Sequence, residues 1–352
     1  MPVRRPAAVT IKDLARDLGM SVATVARAFH PEATVAAATR AAVLDRAQAL
    51  GYRTNPLARG IITRRTRIVG ILLAELDNPF YPEALARLTA ALQQAGFNAM
   101  LVVATPAQPM EAALRLLLSY QPEIAVSLAT SLGSEAAAAC RAAGTPVLFL
   151  NRHPEDVAPD AMAIVCDNRD GGARMADHLI KRGARRLAFI AGQADTSTNA
   201  ERFAGFRDRC VERGLEAPLQ IPAGAFTYQA GRDAALRCLR GAGRPDALFC
   251  GSDILAAGVL DVARRDLGLA VPEELLVAGF DDIALAQWPS YGLTTLRQPL
   301  DRMVALAVEQ IQRSARGEAL TGGIFRIPGE LIPRGSTARP RRTPASEQEQ
   351  TS

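Results

Sequence analysis

The sequence predicts an α/β protein in which a small all-helical domain precedes a core of parallel sheets divided into two lobes. From residue 67 onward, apolar runs such as "RIVGILLAEL" alternate with amphipathic stretches such as "YPEALARLTAALQQAG". The apolar runs are continuous, which is typical of parallel strands whose two faces are both covered. Residues 68–103 and 187–221 also share one order of strand, polar loop, helix, glycine and extended segment. This duplication predicts two similar lobes with a cleft between the carboxyl ends of their strands.

Composition and length are those of a globular protein with a sizeable core. The 352 residues are 49% hydrophobic and 22% charged, as in ordinary soluble proteins. No apolar run approaches the roughly 20 residues of a membrane span, and the first residues lack the apolar region of a secretory signal. We therefore expect a cytoplasmic protein. Its five scattered cysteines fit reduced thiols, and core packing is expected for Cys166, Cys210, Cys238 and Cys250.

Three short helices are predicted near the amino terminus, over residues 11–18, 22–29 and 36–50. Gly19 and Gly51 stand where the first and the third should end. Gly19 also permits a tight turn that sets the second helix across the first, which is the helix-turn-helix pattern. Residues 1–67 hold 12 Lys or Arg and four Asp or Glu, a net +8, whereas the remaining residues carry −3. This distribution predicts a polyanionic partner for the amino-terminal segment alone.

The second helix, "SVATVARAF", has an outer face suited to base edges in DNA. Val22 and Ala23 permit close approach and can contact a thymine methyl group, whereas Arg27 can pair with guanine. Ser21 caps the helix, and its hydroxyl group suits a phosphate. The alternative is a plain helical hairpin at the edge of an enzyme, which leaves the basic charge unexplained.

A linker over residues 54–66 follows these helices. Asn55 can cap a helix, Pro56 suits its first position, and "LARGI" can complete about two turns. So short a helix, with Gly60 inside it, should be mostly unfolded alone and can become ordered on contact with DNA.

The core is expected to contain eight strands. The candidates are "RIVGILLAEL", "FNAMLVVAT", "EIAVSLAT", "TPVLFLN", "AIVCD", "RLAFIAG", "DALFCG" and "LLVAGFD". We divide the chain into a helix-turn-helix domain (1–53), a hinge helix or linker (54–66), a core (67–335) and a disordered tail (336–352). Within the core, the first lobe comprises residues 67–166 and 298–325, and the second lobe comprises residues 167–297 and 326–335.

Polar loops after strands supply candidate ligand contacts. In "DNPFY", Asn78, Phe80 and Tyr81 are expected at the mouth of the first lobe's cleft. Aromatic rings stack on sugar faces or on bases, and neighbouring amides bind hydroxyl groups. Trp288, in "AQWPSY", is expected in the core instead.

Longer motifs follow one another along the chain: "VTIKDLARDLGMSVATVARAF", "TVAAATRAAVLDRAQALGYRTNPLAR", "VGILLAELDNPFY", "LFLNR", "ERFAGF", "FCGSDILAAGVLD", "VAGFDDI" and "LTTLRQP". Together they resemble the LacI/GalR family of transcriptional regulators over roughly residues 9–333. The resemblance implies a homodimer whose paired helix-turn-helix domains bind a pseudo-palindromic operator in double-stranded DNA. It also implies a two-lobed core similar to a periplasmic binding protein, with a small-molecule effector between the lobes.

By matched position, the resemblance assigns ten residues to DNA. Val22, Ala23 and Arg27 would read the major groove, Ser21, Thr24, Thr39, Tyr52 and Asn55 would contact phosphates or support such contacts, and Ala58 and Ile61 would lie in the minor groove. Ile61 stands where family members insert a leucine wedge at the central base step. Ala26 and Ala36 replace hydroxyl residues, which predicts a modest operator affinity.

The resemblance also extends the effector site across both lobes. Beside Asn78, Phe80 and Tyr81, it implies Asn151, Thr196, Thr198, Arg202, Phe226, Ser252 and Asp281. Arg202 can bind two oxygens at once, and Asp281 accepts hydrogen bonds from hydroxyl groups or ring nitrogens. Ser252 replaces the usual asparagine, and its shorter side chain reaches less far towards the effector. A sugar or sugar acid is the first choice of effector, and a purine or nucleoside is the second.

Enzymatic interpretations find little support in the sequence. It has no GxGxxG after a strand, no GxxxxGK[ST] and no GxSxG, and its three histidines lack metal-type spacing. A carbohydrate-active enzyme fused to a DNA-binding domain is a minor alternative. We therefore expect an allosteric transcription factor, a repressor, with no cofactor, metal or membrane contact. The sequence leaves open whether the effector releases the protein from DNA or promotes binding.

Overall fold

The structure is a computed structural model that describes residues 9–29, 33–52, 65–74, 76–105, 107–128, 134–241 and 243–338. The chain divides into two compact units between Thr66 and Arg67. The first unit is helical, and the second contains two sheets.

Three helices form the amino-terminal unit: α1 (Ile11–Asp17), α2 (Val22–Ala28) and α3 (Ala37–Ala49). They confirm the prediction to within one residue at each end. Gly19 makes the turn between α1 and α2 at φ +63°, a conformation that glycine adopts without a steric cost. Arg46 of α3 pairs with Asp17 at the end of α1, with 2.5 Å between Nε and Oδ2. Small apolar side chains fill the core of this unit, namely Leu14, Ala15, Val25, Ala28, Val43 and Ala47.

The second unit contains two six-stranded sheets, and we call the sheets with their helices the first and the second lobe. The first sheet consists of β1 (Ile68–Leu73), β2 (Asn98–Val103), β3 (Ile124–Leu128), β4 (Val147–Leu150), β5 (Met162–Cys166) and β11 (Gly323–Ile327). The second consists of β6 (Leu187–Ala191), β7 (Leu219–Pro222), β8 (Ala247–Cys250), β9 (Leu276–Asp281), β10 (Thr294–Arg297) and β12 (Glu330–Ile332). Their strand orders are β11-β5-β4-β3-β1-β2 and β12-β10-β9-β8-β6-β7. All pairs are parallel except β10 and β12, as the predicted fold class requires.

Helices cover both sheets. Those of the first lobe are α4 (Phe80–Gln94), α5 (Met110–Ser119), α6 (Ser134–Ala142) and α11 (Leu300–Ala315). Those of the second are α7 (Asn168–Lys181), α8 (Ser197–Glu212), α9 (Tyr228–Leu239) and α10 (Asp253–Asp261), which a π-helical turn, Val262–Asp266, continues. The chain passes between the lobes after β5, after β10 and after β11. The last passage follows Ile327 rather than residue 325 as predicted, because Arg326 and Ile327 pair with β5. None of the helices in the described ranges is long and apolar enough to cross a membrane.

Close helix packing fixes the position of α8. A Cβ atom added at Gly172 of α7 would overlap the backbone oxygen of Arg202, and one added at Gly205 of α8 would overlap that of Arg169. Only glycine therefore permits this approach of the two backbones. The consequence is a rigid support for the side chains that α8 directs towards the first lobe.

All eight predicted strands are present, and β7 coincides with the extended segment predicted at the end of residues 187–221. The sequence patterns miss three more strands, β10, β11 and β12, of which β11 and β12 are edge strands. Edge strands are covered less completely and carry more polar residues, so they lack the continuous apolar run that marks the central strands.

The predicted start of the disordered tail is wrong. Residues Gly335–Thr337 form a 3₁₀ turn, and Ser336 and Thr337 are fully buried. Ser336 accepts a hydrogen bond from the N–H of Thr294 and donates one to the carbonyl oxygen of Val277. The segment is polar in composition, but its side chains are buried and form hydrogen bonds within the protein, which the sequence pattern does not indicate. Residues 339–352 lie outside the described residues.

Two expectations about single side chains have different outcomes. Cys166, Cys210 and Cys250 are buried as expected, Cys238 is partly buried, and burial raises the pKa of the Cys166 thiol to about 12. Trp288, in contrast, is 56% exposed. The prediction of a core position for it is wrong, because it follows a single 3₁₀ turn, Ala284–Gln287, at the surface of the second lobe.

Candidate DNA-reading helix and interlobe cleft

Helix α2 is held by its cap and by its packing on the other two helices. Ser21 Oγ accepts a hydrogen bond from the N–H of Thr24 at 3.1 Å, which confirms the predicted cap. Val25 and Ala28 are buried in the small core. A helix of seven residues persists here because tertiary packing supplies its stability.

The opposite face of α2 is exposed. Val22 is 42% exposed, and Ala23 and Arg27 are exposed as well. Two small side chains and one guanidinium group therefore lie on the surface of one short helix. This is the composition that direct contact with base edges in the major groove requires.

The other predicted DNA contacts are more enclosed or lie outside the described residues. Thr24 and Thr39 are partly buried. The Tyr52 ring packs against Phe29 at a centroid distance of 5.6 Å, and burial raises the pKa of its phenol, so Tyr52 contributes to the core of this unit. Asn55, Ala58, Ile61 and the predicted hinge helix fall on residues that the structure does not describe.

On the first lobe, the "DNPFY" side chains lie deeper than predicted. Asn78, Phe80 and Tyr81 are buried rather than at the mouth of the cleft, because Phe80 packs in the first-lobe core together with Ile283 of the second lobe. Asn78 Oδ1 accepts a hydrogen bond from the N–H of Phe80 at 3.1 Å. The Tyr81 hydroxyl accepts one from Nδ2 of Asn151, also at 3.1 Å.

On the second lobe, Arg202 of α8 has several partners within the protein. Its Nε donates to Asn168 Oδ1 at 2.9 Å, and its Nη1 donates to the carbonyl oxygen of Gly251 at 2.5 Å. Its Nη2 lies 3.5 Å from Asp281 Oδ1, and its guanidinium carbon lies 3.6 Å from the centroid of the Phe280 ring. Burial lowers the pKa of Arg202, and Asp281 opposes that effect.

Asp281 ends β9 at φ +120° and turns its carboxylate towards Arg202. Gln298 Nε2 donates to Asp281 Oδ1 at 2.8 Å. Burial raises the pKa of Asp281 to about 6, although Arg202, Gln298 and Asn78 act in the opposite direction. Asp281 therefore takes up a proton at a higher pH than an ordinary aspartate does.

Buried polar atoms at this junction without a hydrogen-bond partner in the described part of the protein include Asn151 Oδ1, Ser252 Oγ and Gln298 Oε1. An unsatisfied buried acceptor costs about 1–3 kcal/mol. The amide nitrogens of Asn151 and Gln298 are already used by Tyr81 and Asp281. Both amides therefore present an oxygen, which can only accept, to any group that enters between the lobes.

The two threonines of the predicted site form a local pair. Thr198 Oγ1 lies 3.5 Å from Thr196 Oγ1, which donates to the carbonyl oxygen of Gln193 at 2.9 Å. Both residues are buried. Because Thr196 already donates its proton, it presents only acceptor capacity to a ligand.

Sequence reasoning missed Arg152 as a site residue. It is buried, and its guanidinium carbon lies 5.5 Å from the centroid of the Tyr81 ring and 5.1 Å from that of Phe226. It thus joins predicted residues of both lobes. The only available signal was its place in the motif "LFLNR", directly after Asn151.

A cavity of about 540 Å³ reaches this junction from the side of β10. It is lined by Phe80 and Asp281 of the predicted site, by Gln298, and by charged side chains of both signs, namely Glu83, Arg87, Asp282, Arg297, Asp301 and Arg302. Small-molecule sites occupy about 300–1,000 Å³. The described ranges contain no group of three or more His, Cys, Asp or Glu that could hold a metal ion.

Two family profiles match the chain. Residues 10–55 match the bacterial regulatory proteins of the lacI family, and residues 176–337 match the periplasmic binding protein-like domain. The chain thus combines a lacI-family amino-terminal region with a periplasmic binding protein-like domain. Curated LacI-family relatives match it over almost their whole length. The catabolite control protein A of Priestia megaterium is 28% identical, over 94% of this chain and 99% of its own.

The transcriptional repressor CytR of Escherichia coli (strain K12) is 28% identical over 95% of this chain and 98% of its own. Among solved structures, a transcriptional regulator CelR–cellobiose complex is 27% identical with a TM-score of 0.70, over 94% of this chain and 100% of its own. The lac repressor dimer bound to operator and the anti-inducer ONPF has a TM-score of 0.83 at 23% identity, over 94% and 99%, and shares the fold. Over almost its whole length, the chain is thus similar to transcriptional regulators rather than to enzymes.

Proposed function

We propose that this LacI-family regulator is a repressor that binds a pseudo-palindromic operator as a homodimer. Residues 10–61 of each chain contact the DNA, and a small hydroxyl-rich effector, a sugar or sugar acid, binds between the two lobes. The observation that carries the effector assignment is the group of buried polar atoms without partners, Asn151 Oδ1, Ser252 Oγ and Gln298 Oε1.

Hydroxyl groups satisfy these atoms best. The two amide oxygens accept only, so the ligand must donate a hydrogen to each of them. One ligand hydroxyl group can donate to one amide oxygen and accept from Ser252 Oγ, and a second hydroxyl group can donate to the other amide oxygen. Carboxylate and phosphate groups cannot donate when ionised. A sugar acid would therefore bind the amides through its hydroxyl groups.

The purine or nucleoside alternative is less well supported. A base would stack on Tyr81 or Phe226, but the Arg152 guanidinium already lies over both rings. A base must therefore use the remaining ring faces or displace Arg152. A sugar ring needs less aromatic surface and uses the polar atoms that are present.

Exposed apolar side chains support association of two chains through the first lobe. Leu101 on the edge strand β2 and Leu116 on α5 are exposed, as is Tyr120 just beyond α5. In a dimer, a ligand that changes how the lobes sit can alter the spacing of two DNA-binding units. Such coupling is typically worth 1–3 kcal/mol.

A thermal-shift screen of the full chain tests the effector assignment. The probes are D-glucose, D-galactose, cellobiose, D-gluconate, D-galacturonate, adenosine, cytidine and hypoxanthine. A ligand at 100 times its Kd stabilises the folded protein by about 2.7 kcal/mol, so a hit raises Tm. A hit among the sugars or sugar acids supports the proposal, a hit among the bases or nucleosides favours the alternative, and chemical turnover of the hit would contradict both.

A further inference from the structure

His153 connects the two lobes beside the cleft. It follows β4 of the first lobe, and its backbone N–H donates to Ser197 Oγ at the start of α8 at 3.1 Å. Its ring Nε2 lies 3.3 Å from Oε1 of Glu201, also on α8. The side chain is buried, so this contact is largely shielded from water.

Both ring nitrogens of His153 face oxygen atoms that accept hydrogen bonds. Nδ1 lies 2.6 Å from the carbonyl oxygen of Pro154, and Nε2 faces the Glu201 carboxylate. A neutral imidazole can donate from one nitrogen only, so this geometry suits the imidazolium ion. Among the described charged groups, Glu201 raises the pKa of His153, whereas burial and Arg326 lower it, and the net direction is upward.

Glu201 gathers contacts from both lobes. Its Oε1 also accepts from Arg326 Nη2 of β11 at 3.1 Å, and its Oε2 accepts from Asn168 Nδ2 at the start of α7, also at 3.1 Å. Burial works against ionisation, but the hydrogen bonds from His153, Asn168 and Arg326 keep the pKa of Glu201 below its usual value. One carboxylate thus holds two cationic side chains of the first lobe and one amide of the second.

The same amide orients Arg202. Asn168 Nδ2 donates a hydrogen bond to Glu201 Oε2, and Asn168 Oδ1 accepts one from Arg202 Nε at 2.9 Å. The amide is therefore fixed from both ends, and it fixes the direction in which the guanidinium of Arg202 faces Asp281. A continuous row of hydrogen bonds runs from His153 through Glu201 and Asn168 to Arg202.

We propose that His153, Glu201 and Asn168 are positioning residues, which fasten the two lobes to each other and hold Arg202 at the cleft while His153 is doubly protonated. The part that concerns Arg202 rests on the proposed function, because it assumes that the effector meets Arg202. Separation of the lobes would remove Glu201 from both His153 and Arg326. The separated form then binds the His153 proton less tightly, so a fall in pH favours the form in which the lobes are in contact.

The first test follows the three histidines of the full chain by NMR between pH 5 and 9, without DNA or effector. The resonance that disappears in His153→Gln identifies His153. We expect it to titrate above the usual histidine range and to move to lower pH in Glu201→Gln. A resonance that titrates at or below that range in the unaltered chain, or that Glu201→Gln leaves in place, would overturn the proposal.

The second test measures lobe contact. Spin labels at Gln94→Cys in the first lobe and Glu216→Cys in the second, in a Cys238→Ser background, report their distance by pulsed EPR. We expect the population with the lobes in contact to fall several-fold from pH 6 to pH 8.5, and to fall much less in His153→Gln, in which Asp281 still titrates at the junction. His178→Gln is the matched control, because burial lowers the pKa of His178 to about 4 and that residue stays neutral throughout. A distance distribution of the unaltered chain that does not change between pH 6 and pH 8.5 would contradict the proposal.

The third test addresses the orientation of Arg202. Hydrogen exchange of its Nε–H should be slow at pH 6 and accelerate more than about tenfold in Asn168→Ala and in Glu201→Gln, because the acceptor is lost or free to turn. Equal exchange rates of the Arg202 Nε–H in all three proteins would show that Asn168 and Glu201 do not hold Arg202 in place. None of the three measurements uses an effector, so their failure would leave the proposed function standing, and a failed ligand screen would leave them valid.

Discussion

Arg202 and Asp281 form a buried ion pair, with 3.5 Å between Nη2 and Oδ1 and only 3% of each side chain exposed. Each belongs to the proposed effector site, and each also has partners inside the protein. The pair therefore has two roles: it stabilises the second lobe and it contacts the ligand. A substitution of either residue changes both properties at once.

We expect Arg202→Ala to lower the free energy of unfolding by about 3 kcal/mol at pH 7.5, because a buried carboxylate is left without its cation. The loss should shrink at pH 5, where Asp281, whose pKa is already raised to about 6, is protonated. Urea unfolding at the two pH values measures this. The double variant Arg202→Ala/Asp281→Asn should recover part of the loss at pH 7.5, and additive losses would contradict the coupling.

Ser252→Ala separates ligand contact from stability. Ser252 Oγ is buried without a hydrogen-bond partner in the described part of the protein, so its removal should leave Tm unchanged or slightly raised. Loss of one hydrogen bond to the effector should weaken its binding by about 0.5–1.5 kcal/mol, measured by calorimetry with the hit from the screen.

The matched control for Ser252→Ala is Ser336→Ala. Ser336 makes two buried hydrogen bonds, to Thr294 and Val277, so this change should lower Tm and leave effector affinity as it was. If Ser252→Ala lowered Tm as much as Ser336→Ala and did not change affinity, the assignment of Ser252 to the ligand would be wrong.

Arg27→Ala tests base reading by α2. We expect the preference at one position of each operator half-site to relax by about 1–3 kcal/mol, measured by competition between operator duplexes that differ at that position. Arg16→Ala removes an exposed arginine that pairs with Asp13 on α1 and should leave the preference intact. An Arg27→Ala protein with unchanged base preference would remove Arg27 from the reading surface.

Asp253 should make the stability of the second lobe depend on pH. It is fully buried, accepts hydrogen bonds from Thr295 and from the N–H of Ile283, and burial raises its pKa to about 8. The unfolded chain releases this proton near pH 4, whereas the folded chain keeps it, so the contribution of Asp253 to stability falls as pH rises from about 4 to about 8.

Asp253→Asn stays neutral in both states and should flatten the pH dependence of unfolding between pH 5 and 8. Glu318→Gln, at an exposed ion pair with Arg313 and Arg316, should leave that dependence unchanged. An Asp253→Asn protein as sensitive to pH as the unaltered chain would show that the carboxyl group is ionised in the folded state.

The sequence predicted the features that local chemistry determines. The Ser21 cap, the Gly19 turn and the exposed face of α2 follow from residues close together in the chain, and the central strands follow from continuous apolar runs. The edge strand β12 and the turn at Ser336 were missed because their stability comes from partners far away in the sequence.

The candidate cleft shows the same division. Arg202 and Asp281 were found through motifs, but their mutual pairing and the placement of Arg152 between two aromatic rings depend on how the lobes meet. Phe80 was predicted at the mouth of the cleft but lies in the core. The local sequence does not distinguish the two positions, because an aromatic residue can follow a polar turn in either of them. The contact of His153 with Glu201 spans 48 residues of sequence and has no local signature.

Selection of duplexes from a random DNA library by the purified full chain, at moderate salt and with each screened ligand in turn, tests the central claim most directly. The account predicts enrichment of a pseudo-palindromic sequence whose binding changes when one small ligand is added. Enrichment of no sequence over random DNA under any of these conditions would contradict it.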